Sequence, residues 1–90
     1  MITYCEKNEL LNKVRVRGFH SAVVFYRDPI NETTQTRNVL STSKSEVVIW
    51  AEECNEFYTN YGIPYEIYVN GKNCYGNGAS NKLFLCSEEV

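Results

Sequence analysis

The sequence has no hydrophobic run long enough to cross a bilayer. Its longest apolar stretches, residues 22–26 and 47–51, fall far short of the roughly 20 residues a spanning helix needs, so no membrane partner is expected. Histidine is nearly absent, with His20 alone in the chain. A triad would need that imidazole beside a nucleophile such as Ser21 and an orienting carboxylate such as Asp28, and nothing in the spacing brings them together. The chain is therefore expected not to be an enzyme. Cys5, Cys54, Cys74 and Cys86 include no C-x-x-C pair, which removes the close ligand pair of a structural zinc site. Gly76-Asn77-Gly78 lacks the Lys and Ser/Thr of a P-loop and the helix of a dinucleotide fingerprint, so it reads as a loop. No metal and no cofactor are expected. The first residues lack the basic and apolar regions of a signal peptide, which sets an expectation of a cytoplasmic, reducing location with free thiols.

What is present describes one folded domain. Ninety residues, 43% of them apolar and 13% aromatic, suit a single core and are too hydrophobic for a disordered chain. The net charge of −2 is unevenly placed. Residues 1–45 hold seven basic and four acidic side chains; residues 46–90 hold two basic and seven acidic. Such asymmetry marks an interaction surface unless the two halves pack so that their charges intersperse.

The strongest local signal runs over residues 43–62. Ser43-Lys44-Ser45-Glu46 fits a capping box, in which the Ser43 hydroxyl accepts from the Glu46 amide and the Glu46 side chain reaches back. At about 100° per residue, Val47, Trp50, Ala51, Cys54, Phe57, Tyr58 and Tyr61 form one stripe that should face a core. Gly62 can adopt the left-handed conformation that ends a helix, and Pro64 discourages a restart. Before this helix, Thr3-Tyr4-Cys5-Glu6 is a second capping box, opening a short helix to about residue 12 with Leu10 and Leu11 buried.

Around the helices the pattern turns to period two. Val14 and Val16 alternate with Arg15 and Arg17 as a strand would. Gly18 interrupts, so residues 14–27 read either as one bent strand or as two strands hinged there. Asp28-Pro29-Ile30-Asn31 is a turn, and residues 33–41 return as a polar strand. Tyr65, Ile67 and Val69 alternate with Glu66 and Tyr68, and Asn70-Gly71 is the pair a type I′ hairpin prefers. Residues 72–75 return, residues 76–81 form a flexible loop, and residues 82–86 form a last strand before a frayed tail. The expected fold is α+β: an antiparallel sheet of about four to five strands covered on one face by one main amphipathic helix, about 44–61, with a short N-terminal helix.

Two surfaces stand out as candidate sites. On the outward face of the main helix, Ile49 lies about 160° from the stripe centre at Ala51, among Glu46, Glu53 and Glu56. An apolar residue ringed by carboxylates suits contact with a protein partner that has a basic surface. The plainer alternatives are a solvated acidic face, and an Ile49 covered by the C-terminal Leu83, Phe84 and Leu85. The second surface is basic. Lys13, Arg15 and Arg17 share one side of a strand by period two, and Arg27 and Arg37 join them across the hairpin, as a phosphate backbone would require.

The strand–strand–helix order with this basic hairpin resembles AP2-type DNA-binding folds and integrase arm-binding domains, a resemblance that implies nucleic-acid binding through the sheet. A short chain dense in Asn, Tyr and Glu and without a catalytic constellation also resembles many small virus-encoded accessory proteins. That resemblance implies an inhibitor occupying a host protein's surface. The first expectation is a non-enzymatic protein-binding module using Ile49, Glu52, Glu53 and Glu56. The alternative is a nucleic-acid-binding module using Lys13, Arg15, Arg17, Arg27 and Arg37, and a homodimer through an uncovered edge or aromatic patch is a third arrangement.

Overall fold

In the computed structural model, residues 1–85 are described. A two-residue strand, β1 (Ile2–Thr3), leads directly into helix α1 (Tyr4–Lys13). The capping box at its start is closed: the Glu6 amide donates to Thr3 Oγ1 at 3.1 Å and the Thr3 amide to Glu6 Oε2 at 2.8 Å. Leu11 is buried and Leu10 half-buried.

The strand expected over residues 14–17 is not there. The Val14 amide still donates to Leu10 O and the Arg15 amide to Asn12 O, so the backbone is leaving a helix at this point. Val14 is buried because it lies three residues beyond Leu11, on the same helical face; Val16 is 44% exposed. Gly18, at φ +86°, and a bond from the Phe19 amide to Val16 O turn the chain into β2 (His20–Asp28). Of the two readings of residues 14–27, neither holds: helix exit, loop and then a single strand replace them.

Strand β2 pairs antiparallel with β3 (Thr33–Ser41), Phe25 opposite Thr36. In the turn between them Asp28 Oδ1 accepts from the Ile30 amide at 2.9 Å, and Asn31 Nδ2 donates to Oδ2 at 2.8 Å. These bonds, the Ile30 amide first, hold the Asp28 carboxyl below its usual pKa. Helix α2 (Lys44–Asn60) follows. Its cap is a variant of the expected box. The Glu46 amide donates to Ser43 Oγ, but the Glu46 carboxylate accepts from the Ser41 hydroxyl at 2.6 Å, and Ser41 Oγ accepts from the Ser43 amide at 3.0 Å. Ser41 thus relays what the glutamate alone was expected to do. Gly62, at φ +65°, ends the helix as its composition implies.

Strands β4 (Tyr65–Val69) and β5 (Lys72–Gly76) are joined by Asn70 and Gly71 at φ +51° and +82°, as the hairpin pair requires. The loop after β5 is pinned by Asn77, whose side chain accepts from the Tyr65 amide at 3.3 Å and donates to Ile63 O at 3.1 Å. A one-turn helix, α3 (Ser80–Leu83), precedes β6 (Phe84–Leu85), so the last strand starts at Phe84; Cys86 and the expected tail lie outside the described residues.

The four-stranded sheet has the order β3-β2-β4-β5 with every neighbour antiparallel, as the α+β expectation held. Helix α2 covers one face, burying Ala22, Val24, Tyr65 and Ile67 of the sheet against Val47, Ala51, Cys54 and Tyr58. The other face is covered too. Val23, Phe25 and Tyr68 pack against Leu11, Val14, Leu83 and Phe84, and β1 pairs parallel with β6 beside them. Fully burying a side chain such as Phe25, Ile67 or Leu83 stabilises by about 1.5–3 kcal/mol each. Cys54 and Cys74 are free thiols, and no helix of the described residues is long and apolar enough to cross a membrane.

Candidate protein-docking face

Helix α2 spends its inward stripe on the sheet and presents the opposite side to solvent. Ile49 is 53% exposed, and Glu52, Glu53 and Glu56 are all exposed. Leu83 and Phe84 do not cover Ile49, because they pack on the far face of the sheet. No hydrogen bond or ion pair joins Glu52, Glu53 or Glu56 to any other described residue. Their situation differs from that of Glu46 and Glu66, whose carboxylates are engaged by hydroxyl groups. Among the described residues no cluster of His, Cys, Asp and Glu is arranged to hold a metal ion.

The apolar part of this face is larger than Ile49. Phe57 and Tyr61, expected in the buried stripe, are 48% and 69% exposed. Phe57 lies about 120° from Ala51 around the helix, outside the arc that a flat sheet can cover. Tyr61 is the C-cap residue, beyond the last helical position. The two rings pack on each other with centroids 4.7 Å apart, and Phe57 meets the buried Tyr58 edge-on at 5.1 Å. Two hollows flank Phe57. One, of about 220 Å³, is lined by Arg37, Trp50, Glu53, Cys54 and Phe57. The other, of about 330 Å³, is lined by Glu53, Glu56, Phe57, Asn60 and Tyr61. Phe57 is thus a ridge between two depressions with Glu53 on both rims. The signal that marks it in the sequence is the helical angle itself, at which Phe57 falls nearer the acidic face than the core.

Buried groups below hold this surface in place. Tyr58 stacks between Tyr26 at 4.9 Å and Tyr65 at 5.9 Å. Burial raises the Tyr58 phenol above its ordinary pKa, and the Arg37 guanidinium beside it partly opposes that shift. Burial likewise pushes the Cys54 thiol up, with Arg37 opposing and Glu53 adding to the rise. Arg37 lies over the Trp50 ring at 5.9 Å, a cation–π contact at the rim of the first hollow.

The five basic residues expected on one hairpin face are not brought together. Lys13 ends α1, and Arg15 and Arg17 lie in the loop after it. Side chains alternate along a strand, so the register puts Arg37, opposite Val24, on the α2 face. Arg27 has the parity of Phe25 and lies on the other face. Only Arg15 and Arg17 share a site, a cavity they line with His20 and Asn70.

Fold and site together define a small α+β domain whose main helix offers an unpaired acidic and aromatic face. No protein-family model matches the chain, no curated protein matches its sequence, and no solved structure matches its fold.

Proposed function

We propose that this chain is a non-enzymatic protein-binding module, of the inhibitor kind that small virus-encoded accessory proteins exemplify, acting in the cytoplasm of a host cell. Its contact surface is the outer side of α2: Ile49, Glu52, Glu53 and Glu56, extended by Phe57 and Tyr61. The observation that carries this reading is the absence of described intramolecular partners for three neighbouring carboxylates beside an exposed aromatic pair. Aromatic anchors set among charge are the usual energetic centre of an interface. The charge sign selects the partner, a protein with a basic surface, and steers its approach. A second copy of the chain fits poorly, since a two-fold contact through this face sets one acidic surface against another.

Affinity capture with the tagged chain from its natural host's lysate, with and without nuclease, tests the reading. The expected result is one stoichiometric protein, retained after nuclease and released as salt is raised. Recovery that depends on nucleic acid contradicts it.

A further inference from the structure

The cavity beneath the loop that follows α1 is built differently from the acidic face and uses none of its residues. It measures about 440 Å³ and is lined by Arg15, Val16, Arg17, Phe19, His20 and Asn70, with no carboxylate among its lining residues. That is a concentration of positive charge in a chain of net charge −2. Neither guanidinium makes a hydrogen bond or ion pair with a described residue.

The tautomer of His20 follows from its neighbours. The Ser21 amide can only donate, and it meets Asn70 Oδ1 at 3.0 Å, which fixes the orientation of the Asn70 side chain. Asn70 Nδ2 is then the group 3.1 Å from His20 Nδ1, so Nδ1 accepts and the neutral ring carries its proton on Nε2. Asn70 is itself held by its own amide, which donates to Ser21 O at 2.8 Å. The polar side-chain groups left for a ligand are therefore all donors: two guanidinium forks and one imidazole N–H.

The loop is shaped before any ligand arrives. The Phe19 amide bonds Val16 O at 3.0 Å, and Gly18 takes a positive φ. Arg15 lies against the Asn70-Gly71 turn so closely that a Cβ on Gly71 would come within 2.8 Å of its Nη1. Val16 and Phe19, 44% and 48% exposed, give the cavity an apolar rim.

We infer that this cavity binds a nucleoside monophosphate group, its phosphate held by Arg15, Arg17 and the His20 Nε2–H and its base lying on Phe19. Guanidinium forks match phosphate oxygens in pairs, and a base can lie on an aromatic ring. The space exceeds what phosphate alone fills and falls within the range of small-ligand sites. The group can come as a free nucleotide or as the 5′-phosphorylated end of a strand, and the two sources are separable.

The test is a titration of the ¹⁵N-labelled chain followed by amide shifts. AMP is expected to give saturable shifts at residues 16–19 and 70–71, whereas adenosine gives none. Arg17→Ala, at an exposed loop position, should weaken AMP about tenfold or more. Arg15→Lys, which keeps the charge and loses the fork, should weaken it less. The Glu53→Lys/Glu56→Lys chain should bind AMP as the parent does, so this site and the α2 face fail separately. If a 5′-phosphorylated oligonucleotide binds and its unphosphorylated form does not, strand ends are a source; if only AMP binds, the source is the free nucleotide. Three results overturn the inference: no saturable shift at about 10 mM AMP, an unphosphorylated oligonucleotide that binds as tightly as its 5′-phosphorylated form, or an Arg17→Ala chain that binds AMP as well as the parent.

Discussion

Glu66 is buried, with 8% of its surface exposed, and both of its oxygens are used. Oε1 accepts from the Tyr68 hydroxyl at 2.7 Å, and Oε2 from the Ser80 hydroxyl. Lys7 Nζ in turn donates to Tyr68 Oη at 3.2 Å and lies over the rings of Tyr4, Tyr68 and Phe84. Burial first, and then the Glu66 carboxylate, raise the Tyr68 phenol far above its ordinary pKa. Cys54 and Tyr58 are shifted the same way by burial. Each of these groups keeps its proton in the folded chain at a pH where the unfolded chain has lost it. Their contribution is complete below the unfolded pKa, about 8.5 for the thiol and about 10 for the phenols, and is lost as pH rises beyond it. Urea unfolding measured against pH should therefore show stability falling above about pH 9. Tyr68→Phe should make that fall shallower, while costing about 1–3 kcal/mol at neutral pH because Glu66 loses a donor. A slope unchanged by Tyr68→Phe contradicts the assignment. In the sequence, Glu66 and Tyr68 read only as the alternate residues of a strand. Their partners come from Lys7 and Ser80, a tertiary arrangement that no local pattern encodes.

At the level of elements, α2 was the most legible. Its Ser43 cap, its Val47, Ala51, Cys54 and Tyr58 stripe and its Gly62 stop follow from local chemistry, and the structure has all three. The width of the stripe was overstated at Phe57 and Tyr61, because angular proximity does not say how far a sheet edge reaches. Residues 14–17 failed for another reason: Leu11 and Val14 at helical spacing and Val14 and Val16 at strand spacing are equally good patterns over so few residues. The candidate site was half legible. Its carboxylates and Ile49 were found on the helical wheel, and its aromatic ridge was assigned to the core. That helix face also works against the helix. Glu52 and Glu56 are like charges one turn apart, and the last turn has no basic residue to complement the dipole. Glu56→Lys turns the Glu52 repulsion into an attractive pair one turn apart, so it should stabilise by about 0.5 kcal/mol and raise Tm by about 2–4 °C. A scanning calorimeter reads this directly, and a lowered Tm contradicts it.

Across the whole molecule, the charge asymmetry of the sequence is only partly dispersed by folding. Arg37 crosses to the acidic helix and sits over Trp50 beside the hollow that Glu53 lines. Glu52, Glu53 and Glu56 nonetheless stay unpaired among the described residues, as do Arg15 and Arg17 in their own cavity. The sheet is covered on both faces, so the core is complete without either surface. A feature that lowers stability and adds nothing to the core is what a binding surface leaves in a structure. The most direct measurement is therefore made on Glu53→Lys/Glu56→Lys, comparing its Tm and its capture of the nuclease-resistant partner with those of the parent chain. The account predicts a Tm equal to or above the parent's and loss of the partner; a stable double variant that retains the partner at undiminished affinity would remove the α2 face as the site.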